Sequence, residues 1–175
     1  MTAAIRPAVE SDDAALRNLD AVTWSSDVQP GPPTPPGVSF FRPGREPRDV
    51  LVAEVDGTVV GYAGLGHALP VASSRHVLEV QGLAVDPGHA RRGIGRQLVE
   101  AAIVEAARRG ARRLTLRVLG SNPRARALYE KCGFAVEGVL HEEFFLEGRY
   151  VDDILMARSL PQPDAGTVPT FGPRN

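Results

Sequence analysis

The chain predicts an α/β (α+β) protein, a partly antiparallel sheet with helices packed on it. Three observations predict it. Two pairs of β-rich runs are each joined by a tight turn, at Asp56-Gly57 and near Glu147-Gly148. Two helical stripes each follow a strand-like run. The 175 residues, 43% of them hydrophobic, suffice for one core and are short for two. One domain over residues 1–160 is therefore expected.

The elements follow in order. "IRPAVESDDAALRNLD" reads as a short strand and then a helix, with Ser11 as its N-cap and Asp12 and Asp13 at its positive end. Residues 29–48 hold seven of the 15 prolines, so they form a loop, partly polyproline II. A loop of that length is either a lid or a plain connection. "DVLVAEVDGTVVGYAGLGHAL" gives two hairpin strands, and "HVLEVQGLAV" a third that stops at Asp86-Pro87-Gly88. A helix then carries Ile94, Leu98, Ala102 and Ala106 on one stripe and ends at Arg108-Arg109-Gly110. "RRLTLRVL" alternates as a strand does. "SNPRARALYEKCGF" is a second helix, capped by Asn122, with Pro123 in its first turn and Gly133 beyond its end. "FAVEGVLHEEFFLEGRYVDDILMARSL" is a final strand pair. The tail 161–175 is rich in Pro and Gly and is expected to be mobile.

Composition narrows the function. A formal net charge of -1 gives no bulk field for nucleic acid or an anionic membrane. Arg91, Arg92, Arg108, Arg109, Arg112 and Arg113 are set against many acidic residues, which argues against nucleic-acid binding. Cys132 is the only cysteine, so a disulfide framework is excluded. His67, His76, His89 and His141 lack metal-ligand spacing, and no metal is expected; His76 or His141 are candidates for an acceptor-side wall. With no signal-like start and no run of membrane-span length, a cytoplasmic, soluble protein is expected.

"VDPGHARRGIGRQLVEAA" puts Gly93 and Gly95 where the helix opens, flanked by Arg91, Arg92 and Arg96. A glycine costs about 1 kcal/mol against alanine inside a helix, so two of them there need a reason. A helix N-terminus exposes unpaired N–H groups and a partial positive charge. Glycines clear the side chains away from those amides, and arginines add charge, which suits a pyrophosphate. A dinucleotide fingerprint fails because Leu98 stands at its third glycine, and no Gly-Lys-Ser/Thr follows for a P-loop. A flexible turn with solvated arginines is the alternative.

This segment, followed by "NPRARALYEKCGF" with Asn122, Ala125, Leu128, Tyr129, Gly133 and Phe134, resembles the GNAT superfamily of acetyl-CoA-dependent N-acetyltransferases, in the branch of ribosomal-protein N-terminal, spermidine and small-amine enzymes. Ala90 departs from the Gln or Arg that usually opens the glycine motif. The resemblance implies a mixed, mostly antiparallel sheet of about six to seven strands, splayed at the cofactor cleft. It implies acetyl-CoA as acetyl donor, with its pyrophosphate on Arg91, Arg92, Gly93, Gly95 and Arg96. The pantetheine arm would run along Leu83, Ala84 and Val85 and touch Asn122. An N–H near Leu83, at a bulge that Gly82 would mark, would serve the oxyanion. Tyr129 would be the acid and Glu79 the base in direct attack by an amine. The bland readings are core packing for Tyr129, a cap for Asn122 and a solvated strand residue for Glu79.

The acceptor is expected to be a small-molecule or peptide amine. The proline-rich loop, with Trp24, Phe40 and Phe41, would border its pocket. Glu142, Glu143, Asp152 and Asp153 would draw a cation wherever they face the cleft. A second copy of the chain, as a homodimer, is a further candidate partner; nucleic acid and membrane are not. The alternative function is a catalytically inactive acyl-CoA sensor.

Overall fold

In the computed structural model, which describes residues 3–161, seven strands and three α-helices appear in the expected order. They are β1 (Ala4–Pro7), α1 (Asp13–Thr23), β2 (Val50–Val55), β3 (Thr58–Gly66), β4 (Val77–Val85), α2 (Ile94–Arg108), β5 (Arg113–Leu119), α3 (Pro123–Lys131), β6 (Ala135–Leu146) and β7 (Arg149–Ser159). The strands form one sheet in the order β1-β2-β3-β4-β5-β7-β6. Every neighbouring pair is antiparallel except β4 with β5, which the α2 crossover makes parallel. The tail from residue 162 lies outside the described residues.

Local chemistry sets the boundaries. Asp56 and Gly57 both take positive φ, 50° and 76°, as a two-residue β2–β3 hairpin turn requires. At the start of α1 the sequence expectation is corrected. Ser11 is exposed, and Asp12 acts in its place: it accepts the Val9 N–H at 2.9 Å and pairs with Arg6 at 2.7 Å. A charged acceptor with a partner on β1 holds the turn better than a neutral hydroxyl. Ile94, Leu98, Ala102 and Ala106 are all buried, so the α2 stripe is its packing face.

The sheet has a core on each face. On one lie α2 and α3, against Leu51, Ala53, Leu65, Leu78, Val80, Leu114, Leu116 and Met156. On the other lie Leu16 and Leu19 of α1, with Val50, Val52, Tyr62 and Ala84. Phe40 and Phe41 of the proline-rich loop are buried in this second core rather than lining a pocket. The loop is therefore anchored by its own hydrophobic residues. Trp24 stays outside and donates its indole N–H to the Gly31 carbonyl at 3.0 Å.

β4 changes parity midway. Leu78 and Val80 belong to the α2 face; beyond them Leu83 and Val85 pack there, and Ala84 faces α1. The cause is a bulge. Leu65 pairs with Val80 and Ala63 with Leu83, so Gln81 and Gly82 together oppose Gly64. Gly82 takes φ 149°, which glycine tolerates best, and a Cβ there would come within 3.3 Å of the Tyr62 ring.

Candidate active site

The bulge coincides with a break in the sheet. Pairing of β4 with β5 runs from Val77–Arg113 to Val80–Leu116 and stops. β4 continues to Val85 on β3 alone, while β5 continues to Leu119 on β7 alone. The two strands part, and the β5-facing edge of β4 beyond Val80 has no strand beside it among the described residues. Leu83 and Val85 turn their backbone groups to that edge, while Ala84 between them is turned to Tyr62 on β3.

On the α2 face this gap meets the glycine motif. Arg91 and Gly93 both take left-handed backbone, φ 63° and 81°, and α2 starts at Ile94. The first amide of this stretch with a backbone acceptor is Gln97, bonded to the Gly93 carbonyl at 3.1 Å. The N–H groups of Arg91, Arg92, Gly93, Ile94, Gly95 and Arg96 have no acceptor among the described residues. Six consecutive donors without an acceptor at a helix start are the arrangement an anion would need. Gly93 supplies the left-handed turn. Gly95 packs beside α3 and β4: a Cβ there would make ordinary contact with Leu128 at 3.4 Å and Val85 at 3.8 Å. Arg91 and Arg92 are exposed, whereas Arg96 is paired with Glu100 at 2.7 Å along the helix.

α3 stands beside this loop. Asn122 is its cap, with the side-chain oxygen accepting the Ala125 N–H at 3.0 Å. Tyr129 is buried in the α2-face core, its ring edge-on to Phe134 with centroids 6.0 Å apart. Its hydroxyl has no hydrogen-bond partner among the described residues, and burial pushes its pKa up to about 12.

On the α1 face the gap opens into a cavity of about 480 Å³. Glu79 lies in its wall, half-buried, with Arg117 on the adjacent β5 and Asp153 on β7 beyond it. Arg117 donates from Nε to Asp153, which is 2% exposed, at 2.6 Å. Burial pushes the Glu79 carboxyl above its ordinary value, while the Arg117 charge and a Gln81 hydrogen bond pull the other way. Val28, Gln29, Pro30, Pro32 and Thr34, at and just before the start of the proline-rich loop, also line the cavity, as does Phe144 of β6.

Glu79 and Tyr129 thus lie on opposite faces of the sheet, with the gap between them. Of Glu142, Glu143, Asp152 and Asp153 only Asp153 lines the cavity; Asp152 instead accepts the Glu142 N–H at 2.9 Å and faces His141. Neither His76 nor His141 lines it, and neither do Trp24, Phe40 or Phe41. Arg42 and Arg45, on the same wall, carry no sequence signal that singles them out. No helix among the described residues is long and apolar enough to cross a membrane.

Known proteins are similar to this chain in sequence and in fold. Phosphinothricin N-acetyltransferase of Alcaligenes faecalis is 36% identical over 115 residues, 65% of this chain and 58% of that protein. The match therefore spans little more than half of that relative's length. L-amino acid N-acyltransferase MnaT of Escherichia coli is 31% identical over 119 residues, 66% of this chain and 69% of that one. A spermidine N(1)-acetyltransferase of Vibrio cholerae and a ribosomal protein bS18-alanine N-acetyltransferase of Escherichia coli match over shorter stretches, 71 and 77 residues. The structure of yncA from Salmonella typhimurium with its cofactor acetyl-CoA has the same fold, with a TM-score of 0.78 at 24% identity over 94% of this chain and 99% of that one. The acetyltransferase (GNAT) family model matches residues 14–134, which takes in α1, the split between β4 and β5, the glycine loop and α3. The chain belongs to the GNAT acetyltransferase family.

Proposed function

We propose that the protein is an N-acetyltransferase that moves the acetyl group of acetyl-CoA to a primary amine of a small molecule or peptide, by direct attack with both substrates bound. One observation carries the reading: the gap beyond Val80 lies between six unpartnered amides on one face and a carboxylate-lined cavity on the other. Relatives that act on phosphinothricin and on L-amino acids support a small-molecule acceptor.

Acetyl-CoA, when bound, supplies a thioester carbonyl open to nucleophilic attack. The residues of this chain do the rest. The amides of Arg91 to Arg96 hold the pyrophosphate, with the Arg91, Arg92 and Arg96 side chains adding charge. Leu83 and Val85, on either side of Ala84, offer their free backbone edge to the pantetheine amides, as in strand addition. An N–H at Leu83, fixed by the bulge, stabilises the oxyanion. Asn122 caps α3 through its oxygen and leaves its nitrogen free to donate. Glu79 takes the ammonium proton, directly or through water, because only the neutral amine attacks. Tyr129 returns a proton to the leaving thiolate; burial keeps its hydroxyl protonated until it is used. Holding both reactants across the gap replaces a bimolecular encounter. A homodimer and a cytoplasmic setting belong to the same proposal.

A calorimetric titration with acetyl-CoA, followed by thiol release over a panel of amines, tests it. Binding together with turnover of at least one amine is expected. Binding without turnover of any amine would favour the sensor instead, and no binding would overturn both.

A further inference from the structure

The charges around the cavity divide into satisfied and unsatisfied. Arg117 is held by Asp153. Asp20 of α1 accepts the Tyr62 hydroxyl at 2.6 Å and the Thr34 hydroxyl at 3.1 Å. Arg42 and Arg45 line the same cavity and form no ion pair among the described residues; Arg45 hydrogen-bonds the neutral Tyr62 hydroxyl, which leaves its charge without a counter-charge.

Arg45 is not a loose surface cation. Its guanidinium carbon lies 3.7 Å from the Phe40 ring centroid and 5.5 Å from that of Tyr62. Phe40 is 3% exposed and Tyr62 1%, so the aromatic bed is itself fixed. The bed has its own support: burial and the Asp20 hydrogen bond keep Tyr62 a phenol that donates. A turn places the two arginines together. The Arg45 N–H closes on the Arg42 carbonyl at 2.7 Å, around Pro43 and Gly44, the latter at φ 85°. A Cβ added to Gly82 would lie 3.7 Å from an Arg45 Nη2, so the guanidinium sits beside the bulge where the strands part. A stacked guanidinium presents its N–H fork edgewise, the geometry that takes a carboxylate in two parallel hydrogen bonds.

We propose that Arg45, with Arg42 beside it, binds the α-carboxylate of the acceptor, and that the acceptor is a free α-amino acid whose amine is turned toward Glu79. This rests on the acetyl-transfer reading above. Charge balance agrees. The cavity wall holds Asp20, Glu79 and Asp153 against Arg42, Arg45 and Arg117, three of each sign. A zwitterion enters such a site without leaving an excess charge. A polyamine would bring cations to an arginine rim, and a peptide N-terminus has no carboxylate next to its amine. A volume of about 480 Å³ suits a small molecule.

The test compares L-amino acids with their carboxamides and with spermidine, as kcat/KM on the native protein and on Arg45→Gln and Arg45→Lys. The best amino acid is expected to exceed its amide by about 30-fold or more, since a site built to hydrogen-bond a group rejects analogues lacking it. Arg45→Gln is expected to raise KM for the acid and to shrink the acid-to-amide ratio by about tenfold or more, with Arg45→Lys between. The ratio is read within one preparation, so a lowered folded fraction cancels. If amides or spermidine are acetylated as well as acids, or if the ratio survives in Arg45→Gln, acetyl transfer stands and the carboxylate assignment falls. If no amine is acetylated, both fall.

Discussion

Glu79 is placed to act as a base by its position on β4. It lies between Leu78 and Val80, which face the α2 core, so its carboxylate turns to the other face and meets the cavity while burial raises its pKa. A base with a raised pKa gains competence only as pH rises through that value. The acid limb of kcat/KM is therefore expected above the ordinary carboxylate range. Glu79→Gln is expected to remove that limb and to lower kcat/KM by about 10²- to 10⁴-fold, read from a pH–rate profile. A limb that persists would hand the proton to water or Asp153. Tyr129 answers to a different measurement. Tyr129→Phe keeps the ring against Phe134 and removes only the hydroxyl, so folding and acetyl-CoA affinity should hold. Turnover is expected to fall by about 10²-fold or more if that hydroxyl is the acid. Unchanged kcat would leave Tyr129 a core residue.

The opening of α2 joins two roles in one residue. Gly93 holds the left-handed turn that starts the helix, and its amide belongs to the unpartnered run. Space is not the constraint there, since the nearest atom to an added Cβ is Gln97 Nε2 at 3.9 Å. Gly93→Val is therefore expected to cost about 1–2 kcal/mol of stability from backbone strain alone. Loss of acetyl-CoA affinity should exceed that cost, measured by calorimetry beside chemical denaturation; wild-type affinity would remove the pyrophosphate from this loop. The helices were legible in the sequence because their signals are local: a cap at Asn122, a stop at Gly110, and a stripe from Ile94 to Ala106. The start of α1 was not, because Asp12 owes its role to Arg6 on β1, a partner no local pattern names. Phe40 and Phe41 read as loop residues because seven prolines dominate their surroundings, yet burial in the α1-face core overrides that composition. Arg45 was invisible for a related reason. Its meaning comes from the Phe40 and Tyr62 rings beneath it, and Tyr62 lies two strands away in the sheet from the β5 residues of the same cavity.

The division of the sheet gives the molecule two sides with separate tasks. The α2 side offers backbone donors, the α1 side offers charged side chains, and the parting of β4 from β5 is where they meet. The bulge at Gln81–Gly82 makes this possible: it shifts the parity of β4, so Glu79 and Ala84, five residues apart, share the α1 face. An open strand edge inside a sheet is costly unless something fills it, because unpaired backbone groups then depend on water. Hydrogen exchange should report that edge. In the free protein, Glu79 and Val80 of β4, before the break, sit between two strands and should exchange slowly. Those beyond it that point toward β5, within residues 81–85, should exchange fast. Saturating acetyl-CoA is expected to slow this second group and the Arg91–Arg96 amides together, by more than it slows the β6–β7 hairpin. Binding at 100 times Kd should also add about 2.7 kcal/mol to global stability. That global increment would slow the most protected amides everywhere, so the specific signal is the extra protection at the edge and the loop. Protection confined to the loop would mean that the diphosphate is held there while the arm runs elsewhere, and the split in the sheet would then need another occupant.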